Sequence, residues 1–483
     1  MTNRRRVLLL AGVVCAVWLG SLAATFAQQG PTDWSRFRGP NGSGHATGDR
    51  YPTTFSATSN LLWKLPLPQG HSSPIVWRDR IYLTAYRGDA LFTIAINRLD
   101  GKILWERQAP ETKTIVVDKR NNPASPSPAL EDNRVYTFFP DYGMLAYDDE
   151  GKELWRMPLG PFDNIYGMGA SPVIVGDLLI LACDQSIGSF LMAVDKRTGK
   201  ERWRTPRPEA RSGHATPIVW RAPDGRDQIV LPGSFLLTGY DAQTGERLWW
   251  VRGLSWEIKS TPVVHGDTIF INGYGAPEND PDKAIKVPPA DEVWLTADAN
   301  KDGVLSQSEF PKYTAAFWFG AVDLNKSGTL DKDEWEYYRA ALTAENGMLA
   351  IRLGGSGDMT EKSVRWKYQR AVPQLPSPIM FEGVLYMVND GGIVTTLNPE
   401  TGEQIAQGRL TGAVGAYYAS PVVGGGHLYF ASLRGAMAVL PPGGDLTPLV
   451  VNDLTEDIYA TPALVDGKIY VRTTEALYAF GTR

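Results

Sequence analysis

The chain has 483 residues, 43% hydrophobic and 21% charged, with 49 Gly, 34 Pro and 15 Trp, which supplies a large core and excludes a disordered chain. Its 48 Lys and Arg against 53 Asp and Glu offer no broad cationic surface of the kind that nucleic acid or an anionic membrane requires. Gly and Pro spread among abundant aromatics predict many short strands joined by turns.

Residues 1–27 read as a secretory signal peptide. Arg4, Arg5 and Arg6 form a basic head, Val7 to Leu22 an apolar run, and Thr25-Phe26-Ala27 a small-residue cleavage site. An uncleaved anchor is the alternative, since the run is just long enough to span a bilayer, and the arginines also suit a twin-arginine signal. The expected location is periplasmic or secreted. Cys15 lies inside the run after Val13-Val14, unlike a lipid-attachment site, and leaves Cys183 as the one thiol of a mature chain. No intrachain disulfide can then form, and Cys183, in an apolar strand, is expected to be buried and structural.

After an N-terminal arm, 28–59, a Ser/Thr-Pro pair followed by apolar residues recurs eight times. The pairs begin at Ser73, Ser127, Ser171, Thr216, Thr261, Ser377, Ser420 and Thr461. Apart from the fifth interval, the spacing is that of a four-stranded propeller blade. In the third repeat, 172–177 reads as an inner strand and turn, 178–183 and 191–195 as the next strands, and 200–204 as the outer one. Gly101, Gly151, Gly199 and Gly245 each precede by four residues a tryptophan, at Trp105, Trp155, Trp203 and Trp249. Glycine supplies the hairpin's positive φ, and the indole is expected to wedge against the neighbouring blade. The last repeat lacks an outer strand, and Leu61-Leu62-Trp63-Lys64 supplies one, so residues 60–67 are expected to complete blade 8. The predicted fold is all-β: an eight-bladed propeller closed by pairing the chain ends, which removes open edges. Blades run over 60–275 and 349–483, interrupted at 276–348.

The pattern Ala-Val-Asp-x-x-Thr-Gly-Lys-x-x-Trp at 193–203 resembles the repeat of the pyrroloquinoline-quinone-like β-propeller proteins. That family includes quinoprotein alcohol dehydrogenases and the propeller lipoprotein of the outer-membrane β-barrel assembly machinery. The stretch Trp34-Ser-Arg-Phe-Arg-Gly-Pro-Asn-Gly-Ser-Gly44 is similar to the N-terminal motif of secreted bacterial members. One fold hosts many functions, so the resemblance implies the fold more firmly than the activity.

The long interval holds two twelve-residue segments with the EF-hand spacing. The first places Asp298, Asn300, Asp302, Val304, Ser306 and Glu309 at positions 1, 3, 5, 7, 9 and 12; the second places Asp323, Asn325, Ser327, Thr329, Asp331 and Glu334 there. Oxygens at 1, 3 and 5 converge, Gly303 and Gly328 at 6 allow the sharp turn, position 7 offers a carbonyl and position 12 a bidentate carboxylate. Two calcium ions are expected, in a structural role, with calcium sensing as the alternative. Helices are predicted at about 290–297 and 332–345, with one shared helix between the loops burying Phe310, Tyr313, Phe317 and Val322. The module belongs between the second and third strands of blade 5.

Two places before each Ser/Thr-Pro pair lie His71, Ser125, Gly169, His214, Lys259, Leu375, Tyr418 and Tyr459. Repeat symmetry gathers these varied residues into one ring at the funnel mouth, the default binding place. His71 and His214, three blades apart, are expected to bond loop backbone; His45, His265 and His427 are expected to be solvated. No nucleophile and base stand at recognisable spacing. The expected function is a non-catalytic, monomeric exported propeller binding an unidentified protein or carbohydrate. The alternative that the resemblance implies is a quinone-dependent alcohol or sugar dehydrogenase, with pyrroloquinoline quinone and calcium in the funnel. This chain lacks the adjacent cysteine pair of many such enzymes, and their calcium set does not map onto it.

Overall fold

A computed structural model describes residues 34–110, 118–274, 285–314 and 317–482; the signal peptide expected at 1–27 lies outside them. Eight sheets of four blade strands each follow the eight repeats. Blade 3 is typical, with strands Val173–Val175, Leu178–Cys183, Phe190–Asp195 and Glu201–Pro206 in that order. The middle strands are apolar on both faces because neighbouring blades cover both, and all six residues of Leu178–Cys183 are buried. Cys183 among them is a free, buried thiol.

The ring closes as expected. Leu61–Pro66 pairs antiparallel with Ala476–Gly481 and completes blade 8, which also contains Lys468–Arg472 and Ala463–Val465. Among the described residues no helix is long and apolar enough to cross a membrane.

The tryptophans lock blade to blade. Trp63, Trp105, Trp155 and Trp203 each lie against the turn glycine of the next blade, Gly101, Gly151, Gly199 and Gly245. Each indole Nε1 donates to a carbonyl of that turn, at Arg98, Asp149, Lys196 and Ala242, over 2.8–3.1 Å. Trp366 of blade 5 does the same to Gly402 and Pro399.

Trp249 departs from the expected wedge. Its indole folds back onto its own blade, where Gly239 replaces the alanine that faces the other tryptophans and a Cβ would overlap the ring. Nε1 donates to Gln228 Oε1 at 2.7 Å. The outer edge it vacates is covered by Gly357–Asp358, which pairs parallel with Trp249 and Trp250.

Blade 5 consists of Val263–His265, Thr268–Gly273, Gly347–Arg352 and Val364–Tyr368. Three helices fall between its second and third strands: α1 (Ala290–Ala297), α2 (Phe319–Val322) and α3 (Lys332–Thr343). The outer two match the prediction. The single shared helix does not form: of the described residues between 310 and 322, only α2 is helical. Pro311 has no N–H to donate and biases Phe310 away from helical geometry. Phe310, Phe317 and Val322 are buried with Trp335 and Tyr338, whereas Tyr313 is exposed.

The N-terminal arm lies against the inner strands, on the far side of the Ser/Thr-Pro pairs from the ring positions. Trp34 bridges Val76 of blade 1, the Ser35 carbonyl accepts from Leu130 N of blade 2, Asn41 pairs with Val219 of blade 4, and Gly44 and Ala46 pair with Val423 of blade 7. His45 is not solvated as expected: its Nε2 lies 2.5 Å from the Met380 carbonyl of blade 6. His427 is likewise half-buried, while His265 is exposed.

Candidate functional site

The two acidic loops of the insertion have matching backbones. Residues at the fourth and sixth positions take positive φ in both, Lys301 61° and Gly303 88°, Lys326 57° and Gly328 83°. The loops join through a short antiparallel ladder, Leu305 opposite Leu330 and Ser306 opposite Thr329.

Their carboxylates accept matching backbone hydrogen bonds. Asp298 Oδ1 accepts from Asp302 N and Oδ2 from Gly303 N, at 3.2 and 3.0 Å; Asp323 accepts from Ser327 N and Gly328 N, both at 2.9 Å. Glu309 Oε1 accepts from Ala299 N at 3.0 Å, and Glu334 Oε1 from Leu324 N at 2.8 Å. Asp331 also caps α3, where its side chain accepts from Glu334 N. Burial raises the Glu334 carboxyl above its ordinary value, whereas bonds from Ser306 and the loop backbone hold half-buried Glu309 below it. Each loop offers oxygen donors only, with Asn300 and Ser306 or Asn325 and Ser327 beside the carboxylates, although among the described residues no three acid, His or Cys side chains gather closely enough to form a metal cluster. Such oxygens suit a hard divalent cation.

The insertion is docked on the propeller. Lys326 Nζ pairs with Asp163 Oδ1 at 2.7 Å, Tyr337 donates to the Arg211 carbonyl at 3.2 Å, and Trp256 packs on Phe317 at 5.3 Å.

At the funnel all eight ring positions line one cavity of about 310 Å³. Its wall is divided by chemistry. On one side His71 stacks on Tyr459, ring centroids 4.0 Å apart and planes within 8°, and Tyr418 lies 5.3 Å from Tyr459. His71 therefore does not use its ring as the expected backbone partner; burial, and then the charge of Arg472, push its pKa down to about 3 and keep it neutral. The other side is charged. Lys259 pairs with buried Glu257, and His214 Nε2 lies 3.7 Å from the same carboxylate. Burial opposes the charge of Glu257, but Lys259 and His214 hold its pKa below the ordinary value. Arg120, paired with Asp118 at 2.7 Å, lies over Tyr166, whose carbonyl accepts from Asn121.

Beneath this wall the repeated hydroxyls join blade to blade. Ser73 N donates to Ser127 Oγ, Ser127 N to Ser171 Oγ and Ser171 N to Thr216 Oγ1. The series resumes from Thr261 N to Ser377 and runs through Ser420 and Thr461 back to Ser73. The bond missing is from Thr216 to Thr261, whose Oγ1 has no partner.

Sequence reasoning missed Glu257, Tyr166, Arg120 and Phe37, all at this cavity or supporting it. Glu257 had a usable signal: it stands two places before Lys259, and alternate residues of extended chain point the same way. The others come from loops and the arm, which the repeat does not index.

Fold and cavity define a closed eight-bladed propeller of the pyrroloquinoline-quinone-like class with a varied funnel. The chain belongs to the PQQ_2 family, described as outer membrane protein assembly factor BamB, whose pattern matches residues 45–189 and again 188–482. It is 26% identical over 159 residues to the outer membrane protein assembly factor BamB of Kangiella koreensis, a match covering 28% of this chain and 36% of that protein. Among solved structures, BamB from Moraxella catarrhalis superposes with a TM-score of 0.55 at 13% identity, covering 88% of this chain and 97% of that one. A europium-containing methanol dehydrogenase superposes with a TM-score of 0.58 at 10% identity, covering 94% and 99%. These likenesses show the fold alone.

Proposed function

We propose that the chain is an exported, calcium-binding propeller that serves as a non-catalytic scaffold and holds part of a protein partner in its funnel. The observation that carries this is the contrast between the uniform hydroxyl ring and the eight residues of six kinds above it, gathered on one cavity. A repeat that only needed to fold would have no use for an aromatic stack facing a wall of paired charges. A protein partner accords with the assembly role in the relatives' name, and the periplasm is where such a partner would be met. In the insertion, the donor sets beginning at Asp298 and Asp323 would each hold one calcium ion, stiffening a module docked against the funnel loops.

A quinone dehydrogenase would use the same cavity and would need free carboxylates to hold a catalytic calcium. Of those near the cavity, Asp118 is committed to Arg120 and Glu257 to Lys259, which leaves Asp390 on the wall without an ion pair among the described residues. One unpaired carboxylate falls short of the several oxygen ligands that a calcium ion takes, so the residues present do not fit that ion.

The test is capture of periplasmic proteins on immobilised mature chain, compared with Tyr459→Ala combined with Lys259→Ala, and with Leu99→Ala on the exposed outer surface. A funnel partner is lost from the first variant and kept by the second. Equal capture by all three would refute the funnel.

A further inference from the structure

The hydroxyl ring leaves its protons unused. A hydroxyl has one donor and two acceptor sites, and each bond in the series uses only an acceptor site. Ser73, Ser127, Ser171, Ser377, Ser420 and Thr461 together line a second, smaller cavity of about 90 Å³ in the channel, with Phe37 of the arm and Lys259 also in its wall. Among the described residues no acceptor takes the O–H protons of these six. The volume is that of roughly three waters of liquid, or one small anion.

Next to the hydroxyl ring, but not in the wall of this blind-ended cavity, the arm places two buried arginines that no carboxylate among the described residues pairs. Arg36 and Arg38, on either side of Phe37, are buried and donate to the carbonyls of Pro217 on blade 4 and Pro378 on blade 6, at 2.5 and 2.8 Å. Both Nε atoms and Arg38 Nη1 have no partner. No carboxylate among the described residues pairs with either arginine, or with buried Arg472 near His71. Burial pushes Arg36 down to about 10 and Arg38 and Arg472 to about 9. The open link of the hydroxyl ring, between Thr216 and Thr261, falls on the arc from blade 4 to blade 6 that the two arginines span. Lys259 does not add to the excess, since Glu257 neutralises it.

Water could satisfy the hydroxyl protons but would leave the buried charge uncompensated, and an uncompensated buried ion is strongly unfavourable. We propose that the blind end of the channel is a binding site for one small monovalent anion, a carboxylate or a halide, held by the hydroxyl ring in the field of Arg36 and Arg38. The site stands on the channel geometry. Failure to capture a funnel partner would leave it intact, and its own failure would leave the partner reading intact.

The test uses the calcium-loaded mature chain at constant ionic strength in acetate, bromide or gluconate, the last too bulky for the cavity. Acetate and bromide should each raise Tm by roughly 3 °C over gluconate, and Arg36→Met with Arg38→Met should abolish that difference. Crystals grown in bromide should show an anomalous peak inside the hydroxyl ring, a readout that survives if the double variant fails to fold. Equal Tm in the three salts with no peak means water only and overturns the proposal. A salt difference that persists in the double variant, again without a peak, marks a general salt effect and overturns it too.

Discussion

The backbone N–H of Thr461 donates to Ser73 Oγ at 3.0 Å across 388 residues, so the two ends of the propeller are joined by the same bond that joins consecutive blades. The proline after each hydroxyl residue explains the economy of this device: it has no N–H to satisfy and fixes the entry into the inner strand.

The ring supplies the first prediction. Ser127→Ala removes the acceptor of the buried Ser73 N–H and should cost about 1–3 kcal/mol. Thr261→Val removes a hydroxyl with no partner and should cost under about 0.5 kcal/mol. Denaturant unfolding of both variants checks the contrast, and equal losses would mean the ring does not carry stability.

Two glycines of blade 3 should separate packing from backbone strain. Gly176 and Gly199 both have positive φ, 54° and 70°. A Cβ at Gly176 would meet nothing within 4 Å, whereas one at Gly199 would fall 2.6 Å from the Trp155 ring. Gly176→Ala should cost about 1 kcal/mol, and Gly199→Ala should cost more, by about 1–3 kcal/mol of overpacking. Thermal unfolding ranks them.

The calcium reading predicts that Glu309→Gln and Glu334→Gln each weaken binding at one loop by at least tenfold while the far-ultraviolet spectrum of the propeller stays unchanged. Calorimetric titration measures this. Unchanged affinity in both variants would remove the metal assignment.

His71 predicts a pH dependence with a definite sign. Its folded pKa is depressed to about 3 from the ordinary 6.5, so below pH 6.5 the unfolded chain takes a proton that the folded chain refuses. Stability therefore falls as pH drops from about 6.5 towards 3, by at most about 1.4 kcal/mol per unit from this group. His71→Phe keeps a ring against Tyr459 and should flatten that part of the profile. An unchanged slope between pH 6 and 4 would show that His71 charges freely.

Much of this was legible in the sequence because it repeats. The Ser/Thr-Pro spacing yields the blade count, the closing role of Leu61 to Lys64 and the ring of funnel positions, since each follows from symmetry. What symmetry does not carry was missed. Trp249 obeys the pattern in sequence, but Gly239 opposite it and the strand at Gly357–Asp358 redirect its indole. The helix expected between the acidic loops fails at Pro311, whose effect on its neighbour outweighs the apolar spacing of Phe310, Phe317 and Val322. The arm, with Arg36, Phe37 and Arg38, belongs to no repeat, and only folding brings it beneath the funnel.

The most direct test of a calcium-binding, non-catalytic propeller is purification of the mature chain from a periplasm supplied with calcium and pyrroloquinoline quinone. An absorption spectrum, metal analysis and mass spectrometry of the denatured supernatant then read its contents. The account predicts about two calcium ions per chain, one for each loop, and no quinone chromophore. Stoichiometric quinone would contradict it and make the funnel an active site.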